Sequence, residues 1–405
     1  MAEQSLLEPV YSLPIRQDEL LAHQVEAEFA RLRKIGPVVR AKFPFGGDGW
    51  AVVGFNEVKT VLRDPRFSVQ QATRKAYPRI RVSEAAPPMD KSFISLDPPE
   101  HSRRRTLLMK HLTPRRIQSL LPQIDALIAE CLDNVEKSGA PVDLAHEFTQ
   151  AVPIGVLSLI LGAPREENHL FLEPAHDISN SRVTTPEEGQ AKLDQILAYF
   201  TDLTERKRHN PGDDLLSALL QDAEAESGMG ADELNGLGMV MLLAGHDATS
   251  AILGGALRWL AHDLETRDIL VKEPHRIGKA VEEFIRFLPA GLAGTRTRVA
   301  MEDIELGGVL IRADDAVLPI VHSANFDEGA FAHGDAFDIS REGPNHVGFG
   351  FGIHNCVGAQ IARTQIELAI RRLLERFPNM RAADPRPDWR EHILLRGPKS
   401  IKIIW

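Results

Sequence analysis

Cysteine is scarce in this chain: 405 residues contain two, Cys131 and Cys356, far apart. That excludes a disulfide framework and suits a reducing cytoplasm. Low-complexity tracts, repeats of fixed period and Gly/Ser-rich linkers are missing too, so a single domain over residues 1–405 is expected. Met1 to Arg16 mixes charges with Pro9 and Pro14. It lacks the apolar core of a signal peptide and the length of a membrane span, so a soluble protein with no membrane partner is expected. Positive charge is also short: 47 Lys and Arg stand against 57 Asp and Glu, a net −10, which argues against nucleic acid as a partner. What the chain does have is length and 43% hydrophobic residues, enough to bury a large core and enclose a ligand.

Periodicity gives a mainly α reading with small β-sheets. Two β-branched runs, Pro37 to Phe43 and Trp50 to Phe55, flank Gly46-Gly-Asp-Gly49 and predict an early hairpin. Asn56 is the expected N-cap of a helix over Glu57 to Arg63. Helical spacing then covers Ile117–Val135, Leu144–Leu161, Glu187–Arg208, Leu215–Ala223, Asp232–Asp263 and His275–Leu288. Strand-like pieces return at Ile304–Val309 and Ala316–Ile320. Ser68–Ser95 and Pro164–Pro186 show no periodicity and read as binding loops or disorder.

Near the C-terminus runs Phe349-Gly-Phe-Gly-Ile-His-Asn-Cys356-Val-Gly358, a glycine-rich loop opening onto a helix. Apolar residues from Ile361 to Phe377 recur at three- and four-residue spacing and Pro378 closes the helix, predicted over Val357–Phe377. A cysteine at a helix N-terminus sits in the positive end of the macrodipole. Its proton affinity should fall, and a thiolate there can hold a metal. Gly350, Gly352 and Gly358 let the backbone turn tightly and approach a flat macrocycle. The plainer reading, a cysteine packed as a small hydrophobe, suits Cys131 in its helical stretch.

The pattern F-x-x-G-x-H-x-C-x-G, met by Phe349, Gly352, His354, Cys356 and Gly358, resembles the haem-binding loop of the cytochromes P-450, the haem-thiolate monooxygenases. The resemblance covers nearly the whole chain, including Pro211 to Leu220 and Phe337 to Arg341, and is closest to the soluble bacterial type. It implies the cytochrome P-450 fold, with haem b between the central long helix and the Cys-loop helix, and Cys356 as the iron ligand. It also implies dioxygen as co-substrate and electrons from a ferredoxin and ferredoxin reductase.

The apolar run Met239 to Thr249 contains Ala244-Gly245, where something bulky can approach the backbone, followed by Asp247 and Thr249. A mid-helix threonine tends to bond its own i−4 carbonyl, and on the residues alone a kink or a water site explains these polar groups. The resemblance makes this the oxygen-activation segment A-G-x-D/E-T-T, with one departure: Ala248 stands where the threonine is expected and Thr249 follows one place later. One helical residue is about a hundred degrees of rotation, so Thr249 does not substitute for the missing hydroxyl. A substrate hydroxyl or amide, or a water held by it, is then expected to supply the proton relay, with Asp247 or His246 leading toward solvent. A weakened relay also suits oxidative ring closure or aromatic coupling without oxygen insertion.

Glu283-Phe-Ile-Arg286 places two opposite charges on one helix face. Such pairs are common and worth little at a surface; the resemblance makes this one buried and structural, with Arg341 as a third member. His101 and Arg105 share a face of a helix opening after Asp97-Pro-Pro-Glu100. With Arg298 and His354 they are the expected partners of the haem propionates, although each is also readable as an ordinary surface cation. Phe349, Gly350, Gly358, Ala244 and Gly245 complete the expected cofactor contacts. Pocket walls are expected from Val240, Leu243, Ala244, Ala248, Leu288, Leu292, Ala293, Ile393 and Leu394, an apolar surface for a hydrophobic small molecule.

Arginines 103, 104, 105, 115 and 116, Lys110, and the arginines after Cys356 read either as a docking patch for an acidic redox partner or as solvated helix faces. The expected protein is a cytoplasmic monooxygenase of secondary metabolite biosynthesis. Its rivals are a peroxide-driven peroxygenase, a haem-binding sensor, and a zinc site that His354 and Cys356 alone would leave two ligands short.

Overall fold

A computed structural model describes residues 10–12, 22–73, 77–78, 92–179, 185–226, 230–288, 296–343, 345–384 and 397–405. The chain forms two compact units. The first comprises Met1–Ala85, Gly291–Ala336 and Gly343–Asn355; the second comprises Ala86–Ala290, Phe337–Glu342 and Cys356–Trp405.

The first unit is built on a six-stranded sheet in the order Tyr11–Ser12, Val38–Lys42, Asp48–Val52, Ala316–Pro319, Arg298–Ala300, Phe67–Ser68. The expected hairpin is present, with Val38 opposite Val52 and Lys42 opposite Asp48. Its turn needs Gly46 at φ +85°, where an added Cβ would lie 2.7 Å from the Tyr77 carbonyl. Val38, Trp50, Val52, Phe55, Val58, Leu62 and Val317 pack into one core. The helix after the hairpin spans Phe55–Arg63 and its N-cap is Gly54, so Asn56 lies inside it. The capping acceptor comes instead from a distant residue, Asp327, whose Oδ2 accepts from Phe55 N at 2.8 Å. Ile304–Val309 is not one strand either. Ile304–Leu306 and Val309–Ile311 pair antiparallel across Gly307 and Gly308 at φ +58° and +84°, the positive-φ turn that two glycines favour.

The second unit is helical, with a small antiparallel sheet of Arg381–Ala382, Lys402–Ile404 and Val142–Asp143. Helices appear at Glu100–His111, Pro114–Ser138, Pro186–His209, Leu215–Glu226, Ile277–Phe287 and Ala359–Arg376. Leu144–Leu161 resolves into a π-helical turn over Ala145–Gln150 and an α-helix over Ala151–Leu161. Asp232–Asp263 also divides: Ala231–Gly245 and Asp247–His262 are helical, and His246 interrupts them. The segment read as irregular, Pro164–Pro186, contains a 3-10 turn at Arg165–Glu167 and a helix at Asn168–Ser179. Packing ordered what periodicity missed. Phe171 stacks on Tyr199 at 4.9 Å between ring centres, and Glu167 accepts from the Tyr199 hydroxyl and both Arg206 terminal nitrogens. The helical stretch Glu233–His262 is long and apolar enough to cross a membrane, but 72% of its most apolar window is buried inside the protein. It is a core helix.

Candidate active site

The loop before Cys356 is shaped by backbone. Gly350 and Gly352 take φ +75° and +71°, and a Cβ on Gly352 would lie 2.6 Å from the Leu62 carbonyl, so glycine is required there. Asn355 Nδ2 donates to Gly350 O at 3.2 Å, and Gly350 N donates to Val347 O at 2.8 Å. Phe349 and His354 are half-buried beside these turns. All of these belong to the first unit. In that unit Arg298 is 5% exposed and its Nη1 reaches Phe67 O at 3.4 Å.

Cys356 opens the next segment of the second unit, with Gly358 as N-cap of the helix Ala359–Arg376. The residue is exposed, yet the protein mass around its thiol desolvates it and pushes its pKa up. The Gly358 N–H and the charges of Arg105 and Arg363 act the other way. The expected fall in proton affinity is therefore overturned: the helix-end donors are present, but desolvation outweighs them.

In the same unit, His101 is 1% exposed and tilts 6.3 Å from the Phe93 ring. Arg105, one turn along the helix Glu100–His111, is half-buried, and desolvation pulls its pKa down while the Cys356 charge raises it. Among the described residues no carboxylate pairs with it. Its neighbours are neutralised: Arg103 pairs with Glu100 at 3.0 Å, Arg104 with Glu233, and Arg116 with Asp213 at 2.8 Å. Arg363 pairs with Glu282, Arg371 with Glu367, Arg372 with Asp125 and Arg376 with Glu136. Most of the basic stretch is thus paired helix surface.

On the core helix, Val240, Leu242, His246, Asp247 and Thr249 are buried, while Ala244 is exposed and Met241, Leu243, Gly245 and Ala248 are half-buried. Met241, Ala244 and Ala248 lie three and four residues apart, so one apolar stripe of this helix is open. Val240, four residues before Ala244, is buried. Met241 was missed in the sequence, although the same spacing would have found it. At the break, two carbonyls accept from side chains: Leu242 O from His246 Nδ1 at 2.8 Å, and Gly245 O from Thr249 Oγ1 at 3.2 Å. A Cβ on Gly245 would meet Leu157 at an ordinary 3.5 Å, so this glycine is not forced by protein contacts.

Glu283 and Arg286 are buried, 5% and 2% exposed at the side chain. Glu283 Oε1 accepts from Arg286 Nη2 at 2.7 Å, from the Asp338 N–H at 2.9 Å and from Arg341 Nε at 3.1 Å; Oε2 accepts from Arg286 Nε at 2.8 Å. The Asp338 backbone donor was not foreseen. Leu288 is half-buried and its Cδ1 lies 2.9 Å from where a Gly255 Cβ would stand. Leu292, Ala293, Ile393 and Leu394 lie outside the described residues.

These residues fit a haem on their own chemistry. One sulfur stands beside Gly358, where an added Cβ would meet nothing but that sulfur at 4.0 Å. A half-buried cation without a carboxylate, Arg105, interacts with the same sulfur. An apolar helix face is open at Ala244. For zinc the donors are lacking: among the described residues no three His, Cys, Asp or Glu side chains gather.

The chain belongs to the cytochrome P450 family, whose profile matches residues 185–405. It is therefore a haem b enzyme, a monooxygenase that uses dioxygen, a redox partner and a small-molecule substrate. It is 37% identical over 380 residues to nocardicin C N-oxygenase of Nocardia uniformis subsp. tsuyamanensis, covering 93% of this chain and 94% of that one. Mycinamicin IV hydroxylase/epoxidase of Micromonospora griseorubida is 35% identical at the same coverage. A solved cytochrome P450 with biaryl coupling reactivity superposes with a TM-score of 0.90 at 29% identity, covering 98% and 100% of the two chains. Its relatives are bacterial P450 oxygenases of natural-product biosynthesis.

Proposed function

We propose that this chain hydroxylates, or oxidises in a related way, a hydrophobic natural product in the bacterial cytoplasm, as one P450 domain over residues 1–405, with electrons from a ferredoxin and its reductase. Cys356 is the iron ligand. His101, Arg105, Arg298 and His354 neutralise the propionates, and Phe349, Gly350, Gly358, Ala244 and Gly245 frame the macrocycle. Glu283, Arg286 and Arg341 tie the helix Ile277–Phe287 to the segment Phe337–Glu342. When bound, haem supplies dioxygen binding and reductive activation, with the thiolate donating electron density.

The observation that carries the reading of proton delivery is the use of the Thr249 hydroxyl. It is spent on Gly245 O inside its own helix, while the open stripe of Met241, Ala244 and Ala248 offers no side-chain donor. A hydroxyl or amide of the substrate, or a water it holds, therefore provides the proton at Ala248, with Asp247 behind it. Leu243, Ala248 and Leu288 supply apolar wall suited to a hydrophobic ligand, and Val240, Leu292, Ala293, Ile393 and Leu394 belong to the same proposed lining.

Macrolides, terpenoids and peptide-derived alkaloids that displace water from ferric haem identify the substrate. With that compound, Ala248→Thr is assayed for product formed per electron consumed. Coupling should stay level or fall, because the added hydroxyl displaces the substrate's donor. A large rise in coupling contradicts substrate-assisted delivery. A second reading, oxidative ring closure or coupling without oxygen insertion, draws support from the missing hydroxyl; labelled dioxygen appearing in the product excludes it.

A further inference from the structure

Asn325 ends the short helix Val321–Asn325 and is 2% exposed. That helix is tied to the sheet on the hairpin side: Ile320 N donates to Val52 O at 2.9 Å, and Ser323 Oγ donates to Val53 O at 3.0 Å. Across 22 positions, Asn325 Oδ1 accepts from the Val347 N–H at 2.8 Å. A backbone N–H only donates, so the amide oxygen is the atom that must face it. Val347 is 1% exposed, and a buried N–H left without an acceptor is costly.

The bonds continue along the cysteine loop. Gly350 N donates to Val347 O at 2.8 Å, and Gly350, at φ +75°, accepts on its own carbonyl from Asn355 Nδ2 at 3.2 Å. Asn355 is the residue before Cys356. All of these groups up to Asn355 lie in the first unit. With glycine at 348, 350 and 352, the stretch has many backbone conformations open to it, and fixing its first residue to the core removes most of them at the start.

We propose that Asn325 is a positioning residue for the thiolate, acting through Val347 and the turn at Gly350. Its side-chain oxygen sets where the cysteine loop leaves the core, and the loop's own bonds carry that placement to Asn355. This rests on the reading of Cys356 as the iron ligand. The contact itself is independent of that reading.

Two variants of the holoenzyme separate the oxygen from the rest of the side chain. Asn325→Leu keeps the shape and loses the acceptor, whereas Asn325→Asp keeps an oxygen at Oδ1 in either protonation state and loses the amide nitrogen. The ferrous carbon monoxide complex is held in mild urea, and decay of its long-wavelength Soret band into the shorter-wavelength type is followed beside far-UV circular dichroism. In Asn325→Leu the band should decay about tenfold faster, as for the loss of one buried hydrogen bond, while the helical signal persists. Asn325→Asp should decay at close to the native rate. A native decay rate in Asn325→Leu overturns the proposal. So does decay that coincides with loss of the helical signal, which marks general destabilisation, and so does Asn325→Asp behaving as Asn325→Leu. If Asn325→Leu binds no haem, amide exchange of the native enzyme labelled with 15N-valine decides: the Val347 N–H should exchange as slowly as that of Val317 in the sheet, and exchange at the rate of an exposed loop overturns the proposal. A native enzyme without the long-wavelength band would sink the Cys356 reading instead, and the exchange measurement would still decide the Asn325 contact.

Discussion

Removing Glu283 takes the carboxylate from a buried guanidinium. The Glu283 carboxylate receives four hydrogen bonds, two from Arg286 and one each from the Asp338 backbone and Arg341. Arg286 is among the largest fully buried side chains of the protein. Breaking a buried pair by deleting one partner costs about 3–5 kcal/mol, mostly the penalty of an uncompensated charge. That is about a hundredfold to a few thousandfold in the folded-to-unfolded ratio. Glu283→Ala should therefore lower the urea midpoint sharply and reduce haem bound per polypeptide on purification. Glu283→Leu combined with Arg286→Met removes both charges and should recover roughly half or more of the single-variant loss, because an apolar pair of similar volume is nearly neutral. Equilibrium unfolding followed by far-UV circular dichroism, with the Soret band as a second probe, measures both. A single-variant loss below about 1 kcal/mol, the level of an exposed pair, would refute the reasoning. So would a double variant no better than the single one.

Three further outcomes follow from the site. Thr249→Val removes a hydroxyl that bonds Gly245 O; stability should fall by about 1 kcal/mol, and product per electron should change less than about twofold. Ala244→Phe fills the open stripe; the spectral shift on adding the identified substrate should vanish while far-UV circular dichroism is unchanged. The two cysteines differ in reactivity. Burial raises the Cys131 thiol to about 11, so its thiolate is scarce at pH 8. Dithionitrobenzoate should leave Cys131 unlabelled there and react with it only as pH approaches 11 or on unfolding. The sign is that of a raised folded-state value: the stabilisation is complete below the ordinary thiol pKa and is lost as pH rises through 11.

Much of this was legible in the sequence because the features are local. The hairpin followed from two β-branched runs and a glycine turn, and the Cys-loop from its glycines. Both Gly350 and Gly352 take the positive φ that other residues avoid. The misses have a common cause, which is information from far along the chain. Asp327 caps Phe55 across 272 positions, so Asn56 was the better local candidate and the wrong one. The helix Asn168–Ser179 rests on Tyr199 and Phe200, partners that a window over Pro164–Pro186 does not contain. Gly307-Gly308 did carry a turn signal that the strand reading passed over. The Cys356 thiol shows the limit of a one-term argument, since the helix end favours thiolate and desolvation opposes it more strongly. Charge clusters misled for the same reason. The arginines near Cys356 stand together in sequence, but most find carboxylates from other helices.

The central claim is a bond between iron and Cys356. Reduction of the purified holoenzyme with dithionite and addition of carbon monoxide tests it most directly, on the native protein and on Cys356→His. The account predicts the long-wavelength Soret band of a thiolate-ligated complex in the native enzyme and its replacement by the shorter-wavelength imidazole type in the variant. A native spectrum of the imidazole or water type, or a variant that keeps the native band, contradicts it.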